Sequence, residues 1–356
     1  MKKYIYSILY LTLATSLICC SNKKQIEENN VAIFHKSIQL KNDILGKPGP
    51  CILIGNNIIG IDYRLDSCFF CINTQNDSIY RFGSRGNGPN EFISPLTLQY
   101  IDKNHFGSFD FNLGEYTRFK INNKNINIER RYKVINNEIS ASFDFKQISN
   151  NSYLGFGPYK EDMYIILDSL ANLKSSFFEI PYKDKDEKSI ANNVRAMAYQ
   201  GRLNLNPTRN KFIYTSIWGD IIHIYNISND KIDIITKIEN IYPSYIPQQD
   251  EYGYSAPLYS SNIVGCISST TTEKYIYLLC SNEKIEKFTK EGKEFCGKIV
   301  RIYDWHGNKV QSFILDLECS NICVSQDDKM LYAIADNPDP ELVLFDLTNK
   351  FTKQTN

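Results

Sequence analysis

The stretch RFGSRGNGPNEF at residues 81–92 contains three glycines at short spacing, the composition from which phosphate-binding loops are built. A loop of that kind binds phosphate because it opens a helix, whose N-terminal N–H groups point at the anion. Here the next residues are FISPLTLQYI, which include Pro95 and favour a strand, and no Gly-Lys-Ser/Thr follows. The stretch is therefore interpreted as a turn between strands and not as a nucleotide site.

The histidines are the next candidates for acid–base or metal chemistry, and there are four of them: His35, His105, His223 and His306. They fall at different positions of the strand pattern described below, so they do not form a repeated ring of ligands. The sequence also lacks the H-E-x-x-H and G-x-S-x-G patterns of metalloproteases and serine hydrolases. We therefore assign no catalytic residue, no metal site and no cofactor.

The chain has 10 cysteines, of which Cys68 and Cys71 form a C-x-x-C pair. No second pair of that spacing accompanies it, so a zinc site is not predicted. Cys280 and Cys296 flank a charged segment, and a disulfide between them would be permitted in an exported protein. Buried thiols are the favoured alternative.

The N-terminus has the features of an export signal. Lys2 and Lys3 precede an apolar run over residues 5–18, which is shorter than the roughly 20 residues that span a bilayer. The run ends in LICCSN, which resembles the lipobox of bacterial lipoproteins. The resemblance implies a signal peptide over residues 1–19, lipidation of Cys20 and a membrane anchor; the alternative is an ordinary secretory signal. Polar residues 20–30 are expected to be a flexible tether.

Composition limits the remaining possibilities. Lys plus Arg and Asp plus Glu both total 40, so no positive field favours nucleic-acid binding. Tyr (24) and Phe (20) are abundant, and aromatic residues pack well on the pleated surface of a strand. The composition therefore favours strands and disfavours nucleic-acid binding.

Short apolar runs separated by polar turns recur along the chain in units of several strands. Periods of about 40 to 50 residues are typical of propeller blades. We predict an all-β, six-bladed β-propeller over residues 31–350, followed by a tail at 351–356, with a pair of β-sandwiches as the competing architecture. The units begin near residues 51, 96, 143, 203, 262 and 318, and insertions are expected at 183–200, 240–261 and 283–296.

The two ends of the repeat predict how the ring closes. Residues 31–41 form a strand before the first complete unit, and the last unit, from residue 318, has three clear strands. An N-terminal strand that completes the last blade would remove the exposed edges of an open ring.

The glycine-rich stretch is similar to the junction of NHL-type repeats and of six-bladed TolB-like propellers, which are common among bacterial lipoproteins. The resemblance implies a crossover from one blade to the next, with a cell-envelope, outer-membrane location facing the periplasm or the surface. The matching residues are Gly83, Gly86, Gly88, Pro89, Glu91, Phe92 and Pro95.

One segment, IYPSYIPQQDEYGYSAPLYSSN at 241–262, is richer in tyrosine and proline than a turn requires. Tyrosines present rigid contact area with a polar tip, so the segment is a candidate ligand-contact loop. The alternative is that it packs as cover over the propeller. The candidate contact residues are Tyr242, Tyr245, Tyr252, Tyr254 and Tyr259.

Together these features predict a lipid-anchored cell-envelope propeller that acts as a binding or scaffold module for a protein, a peptide or a glycan. The alternative function is a hydrolase or lyase with its active site at the mouth of the central channel. Such an enzyme would need clustered acid, base or metal-binding residues on equivalent blade loops, and the sequence contains no such cluster.

Overall fold

The structure is a computed structural model that describes residues 30–38, 45–122, 125–135, 139, 141–251, 253–336 and 339–351. Residue contacts divide the chain into Met1–Asn30 and Val31–Asn356, and the second unit contains the fold. The signal peptide, Cys20, most of the tether and Tyr252 lie outside the described residues. No helix of the described residues is long and apolar enough to cross a membrane.

The chain forms antiparallel sheets in the order that the repeat predicts. Two short strands come first, β1 (Asn30–Ile33) and β2 (His35–Ile38). The first blade contains β3 (Pro48–Ile54), β4 (Asn57–Asp62), β5 (Ser67–Asn73) and β6 (Ser78–Ser84). The second contains β7 (Pro95–Asp102), β8 (His105–Asp110), β9 (Glu115–Asn122) and β10 (Asn125–Lys133). The third contains β11 (Asp144–Gln147), β12 (Ser152–Phe156), β13 (Tyr164–Asp168) and β14 (Leu173–Phe177).

The later blades follow the same plan. The fourth contains β15 (Gly201–Leu205), β16 (Lys211–Ser216), β17 (Asp220–Ser228) and β18 (Lys231–Ile241), and a hairpin of β19 (Gln248–Asp250) and β20 (Gly253–Ser255) follows it. The last two blades are built from β21 (Ile263–Thr271), β22 (Tyr275–Lys284), β23 (Gly297–Asp304), β24 (Lys309–Val324), β25 (Met330–Asp336) and β26 (Pro340–Asp346).

The fifth and sixth blades share one continuous strand. The first part of β24 pairs with β23 up to Cys319, and the second part, from Cys319 to Val324, pairs with β25. The two blades are therefore hydrogen-bonded into one eight-stranded sheet, whereas the first four blades are separate four-stranded sheets.

The N-terminal strand closes the ring, as predicted. In the sixth blade β2 pairs antiparallel with β26, from His35 opposite Phe345 to Ile38 opposite Leu342. Strand β2 thereby covers the edge of β26, so fewer backbone N–H and C=O groups of the sixth blade are left unpaired.

Aromatic residues fill the spaces between blades. Phe69 of the first blade and Phe106 and Phe119 of the second are fully buried, and the Phe106 and Phe119 rings stack with centroids 4.5 Å apart. Tyr164 of the third blade meets Phe212 of the fourth, with ring centroids 5.2 Å apart. Burial of these rings is the main stabilising contribution at the blade interfaces.

Three short helices among the described residues interrupt the strand pattern, although no helix is expected from the sequence after residue 31. They are α1 (Lys185–Lys188), α2 (Asn192–Ala198) and α3 (Ile285–Glu291), and each falls within a predicted insertion. The fully buried Arg195 fixes the first insertion, because its guanidinium donates to the Lys188 carbonyl at 2.7 Å and pairs with Glu179 at 3.0 Å.

Candidate functional site

The topology gives the propeller two unlike faces. Neighbouring strands alternate in direction, so the first-to-second and third-to-fourth connections of every blade lie on one face. That face, named here the turn face, has described connections of between two residues (55–56) and five residues (206–210 and 325–329). The described connections between blades, and the described second-to-third connections within blades, lie on the other face, named the loop face. It carries 85–94, 178–200, 242–262 and 285–296, which include α1, α2, α3 and the β19–β20 hairpin.

The innermost strands run parallel to one another around the channel. Thr97 donates to Asp144 at 2.7 Å, and Gln99, two residues further along β7, donates to the Gln147 carbonyl of β11 at 2.8 Å. These bonds join β7 of the second blade to β11 of the third. The bonded residues follow the same order along both strands, so the two strands run parallel. Because the inner strands share one direction, their first residues all lie at the loop face.

A cavity of ≈ 250 Å³ occupies the centre of the ring and is lined by residues of all six inner strands. At its loop-face end stand the aromatic side chains of Tyr63, Phe111 and Phe143. Tyr63 and Phe111 remain 38% and 42% exposed, which is unusual for rings of this size and leaves them accessible from the channel mouth. The polar lining further in includes Asp144, Lys146, Arg202, Asn204, Ser269 and Asn321.

Asp144 and Lys146 form a buried ion pair in this lining. Their charged atoms lie 3.1 Å apart and both side chains are at most 7% exposed. Lys146 also donates to the Leu98 carbonyl at 2.9 Å, and Asp144 accepts from Thr97. Burial raises the pKa of the Asp144 carboxyl and lowers the pKa of Lys146, because each charge has left water. Both groups are satisfied within the protein and join the second and third blades.

Arg202 is placed differently, at the junction of the fourth and fifth blades. Its Nε donates to the Ile267 carbonyl at 3.0 Å, while Asn204, two residues along β15, donates to the Ser269 carbonyl at 3.0 Å. Among the described residues Arg202 makes no ion pair and no further hydrogen bond. Its positive charge contributes to lowering the pKa of Lys146, after the larger effect of burial, so the two cations share the channel.

Two aspartates fix the loop-face ends of the first two blades. Asp62 and Asp110 end β4 and β8, and both are buried. Burial alone would raise the pKa of Asp62, but backbone N–H groups outweigh that effect and lower it. The Arg81 guanidinium also donates to Asp62, at 3.4 Å. The backbone donors to Asp62 are the N–H groups of Gly46, Lys47, Arg64 and Leu65.

The glycine-rich stretch lies between β6 and β7 on the loop face. Gly83 has a φ of +70° and Gly86 a φ of +158°, and a Cβ at Gly86 would lie 2.1 Å from the Glu91 carboxylate. That carboxylate accepts from the Gly88 N–H at 2.7 Å. Phe92 is buried between the first two blades, and the Arg131 guanidinium lies 4.3 Å from the centre of its ring. Pro89 lies at the outer bend of the same turn and is exposed.

The tyrosines of 241–262 divide into two groups. Tyr242 and Tyr245 pack against the core of the third and fourth blades, and the Tyr242 hydroxyl donates to Glu239 at 2.8 Å. Tyr254 is half-buried in β20, and Tyr259 is 50% exposed. None of these four lines the central cavity. The segment lies on the loop face, and its role as a contact surface stays a prediction.

The histidines lie in different blades. His35 contacts Asp316 and His105 contacts Asp102, each at 2.8 Å, and His223 is buried beside Glu239 at 2.7 Å. His306 lies in the turn after β23. No group of three His, Cys, Asp or Glu suited to a metal occurs among the residues that the structure describes.

The eight cysteine side chains among the described residues are present as thiols. Cys280 donates to the Leu278 carbonyl and Cys296 to Glu318, so the two do not form the disulfide that their spacing allows. The Cys51 and Cys323 thiols contact each other at the junction of the sixth and first blades, and with burial this contact raises the pKa of Cys323.

Sequence reasoning missed the charged channel residues. A signal for them exists: D-x-K at 144–146 and R-x-N at 202–204 place polar side chains at alternate positions of the first strand in a repeat. The first strand of a blade lines the channel, so alternate residues on it face the channel or the neighbouring inner strand.

Comparisons with known proteins agree with the fold. Residues 28–327 match the family model described as TolB-like 6-blade propeller-like, and the chain belongs to that family. Among curated proteins, none matches this sequence. The fold is similar to a Bacteroides fragilis protein described as exported, with 11% identity, a TM-score of 0.52 and coverage of 87% of this chain and 93% of that one. It is also similar to the Cps50 (Swd1) β-propeller domain of Myceliophteria thermophila, with 9% identity, a TM-score of 0.51 and coverage of 87% and 99%.

Proposed function

We propose that this protein is a lipid-anchored binding propeller of the cell envelope, which takes its partner at the loop face. The observation that carries the proposal is the asymmetry of the two faces. The long connections and the exposed rings of Tyr63 and Phe111 are on one side, and the connections that the structure describes on the other side have two to five residues. Binding residues are commonly placed on loops that a rigid scaffold positions, and a propeller is such a scaffold.

An envelope location is supported by the LICC sequence at the end of the apolar N-terminal run and by membership of the TolB-like family. The structural neighbour described as exported is in keeping with it. Acylation at Cys20 would hold the domain at the membrane, since each buried CH₂ contributes about 0.8 kcal/mol. The partner would be another envelope protein, a peptide or a glycan.

A hydrolase or lyase is the less favoured function. The acid–base pair nearest the centre of the channel is Asp144 and Lys146, and the two groups satisfy each other and the neighbouring strand. A general base has to reach a substrate proton, and neither group is arranged to do so.

The face that binds can be tested by photo-crosslinking in intact cells of the native host. A photoreactive amino acid replaces Tyr259 on the loop face or, as the matched control, the exposed Gln75 on the turn face. We expect adducts of discrete mass at position 259 and none at position 75. Equal adducts at both positions, or adducts only at 75, would contradict binding at the loop face.

The anchor is tested separately with Cys20→Ala. We expect this variant to lose incorporation of labelled palmitate and to move from the membrane fraction to the soluble fraction. Cys19→Ala is the control and should stay acylated. Palmitate retained by the Cys20 variant would show that lipidation does not occur at this residue.

A further inference from the structure

The Arg202 guanidinium in the channel has more donors than the protein uses. A guanidinium carries five N–H donors, and the described residues accept from Arg202 once, at the Ile267 carbonyl. That single bond from Nε holds the side chain in place between the fourth and fifth blades. Arg202 is also one of the residues that line the cavity, so donors that the protein does not use are available to a ligand there.

The charges around the cavity leave one positive charge without a partner. Lys146 is neutralised by Asp144 at 3.1 Å. Asp220, at the start of β17 in the same blade, is paired with Arg301 at 2.9 Å. A cation withdrawn from bulk water is stabilised by an anion at hydrogen-bond distance. The cavity lining therefore has one excess positive charge, that of Arg202. A monoanion neutralises this charge, whereas a phosphate dianion would leave an excess negative charge.

The field of Arg202 also reaches across the channel. Tyr63 belongs to the first blade, opposite the fourth, and it lines the same cavity although it remains partly exposed. Burial raises the pKa of the Tyr63 hydroxyl, and the Arg202 charge offsets part of that rise. Because both side chains line one cavity of ≈ 250 Å³, a single ligand there can contact both.

We propose that the central cavity binds a small monocarboxylate, whose carboxylate is held by Arg202 and whose less polar body lies against Tyr63, Phe111 and Phe143. The proposal rests on the binding function proposed above and adds the ligand's chemical class. A guanidinium fork matches a carboxylate with two parallel hydrogen bonds. A volume of ≈ 250 Å³ is at the lower limit for small-molecule sites, which restricts the ligand to one sugar acid or one compact amino-acid derivative.

The test uses the full-length protein in detergent and two matched pairs of probes. The sugar pair is glucuronate and methyl glucoside, and the amino-acid pair is N-acetylphenylalanine and its amide. Binding is measured by saturation-transfer NMR and by calorimetry. We expect at least one carboxylate to bind and its neutral counterpart to bind about tenfold more weakly or not at all. The pair that responds identifies the source of the carboxylate.

Variants assign the effect to Arg202. Arg202→Gln keeps a donor near the Ile267 carbonyl and should reduce carboxylate affinity about tenfold or more, while Arg202→Lys should give an intermediate loss. Lys103→Met, on the turn face, makes the same change in net charge and should have no effect. Thermal unfolding of each variant checks that the fold is intact.

Equal affinity of the Arg202→Gln variant and the parent protein would overturn the proposal, as would equal binding of each carboxylate and its neutral counterpart. Absence of binding by both carboxylates at millimolar concentration would also overturn it. If crosslinking at position 259 persists in any of these cases, the loop-face function stands and only the channel ligand is wrong.

Discussion

Two junctions between neighbouring blades use the same construction and have different consequences. At the junction of the second and third blades, Lys146 is neutralised by Asp144 and bonded to the Leu98 carbonyl. At the junction of the fourth and fifth blades, Arg202 makes one bond to the Ile267 carbonyl and has no carboxylate partner among the described residues. The first cation contributes to the integrity of the ring, and the second is available for a ligand.

The closure of the ring is a third case, because the sixth blade is completed by the pairing of β2 with β26. Deletion of residues 21–42 should have the largest effect, since the sixth blade loses its outer strand and the ring is left open. We expect loss of a single cooperative unfolding transition in calorimetry. Deletion of 21–29 alone is the control and should leave the transition unchanged. A preserved melting temperature after the longer deletion would show that closure does not require β2.

Asp144→Ala should be the most damaging single substitution in the channel. It leaves the Lys146 charge buried without its partner, at a cost of about 3–5 kcal/mol in the free energy of unfolding. The double variant Asp144→Leu/Lys146→Met removes both charges and should recover most of that loss. Urea denaturation compares the three proteins. Equal stability of the single and double variants would show that the pair is not coupled.

Arg202→Gln is the counterpart for the other junction and should change stability little, because only one hydrogen bond is affected. A loss of about 1 kcal/mol or less is expected. Urea denaturation beside Asp144→Ala provides the comparison. If the two variants were equally destabilised, both junctions would have to be regarded as structural.

Asp62 should make the protein sensitive to acid. Its pKa is lowered in the folded state, so its contribution to stability is present above the unfolded value of 3.8 and is lost as the pH falls through the lower folded value. Asp62→Asn should therefore show a smaller drop in melting temperature than the parent protein when the pH is lowered from 5 to below 3.8. Asp66 is an exposed carboxylate of the same loop and serves as the control. Asp66→Asn should show the same drop in melting temperature on acidification as the parent protein. An unchanged acid dependence in Asp62→Asn would contradict the assignment.

The smallest effects on stability are expected within the tyrosine-rich segment. Tyr259→Ala should change the free energy of unfolding by no more than about 0.5 kcal/mol, because the side chain is half exposed. Tyr245→Ala should cost more, since that ring packs on the core. Crosslinking to the partner is measured with a photoreactive residue in place of Phe111. If the segment contacts the partner, Tyr254→Ala and Tyr259→Ala should weaken that crosslinking. Unchanged crosslinking would indicate that the segment is only structural cover.

The sequence by itself determined the class of fold, because strand periodicity and turn chemistry are local properties that repeat along the chain. The six unit starts near 51, 96, 143, 203, 262 and 318 coincide with the six inner strands, and the strand before the first unit closes the last blade. The helices of the insertions were not predictable in the same way. Helix α1 has four residues and α2 has seven, too few for a periodic signal, and α2 is stabilised by packing of Val194 and Ala198 on the core.

Tertiary structure alone decided which polar residues meet at the centre. Asp144 and Lys146 are neighbours in sequence, but their partners Thr97 and Leu98 are more than forty residues away, and Arg202 shares the channel with Tyr63 from the opposite blade. Alternation along a strand indicates that a side chain faces the channel or the next inner strand. Whether its charge is neutralised there depends on which side chains the five other inner strands place at the same depth of the channel. Those side chains come from sequence positions spread over the whole ring.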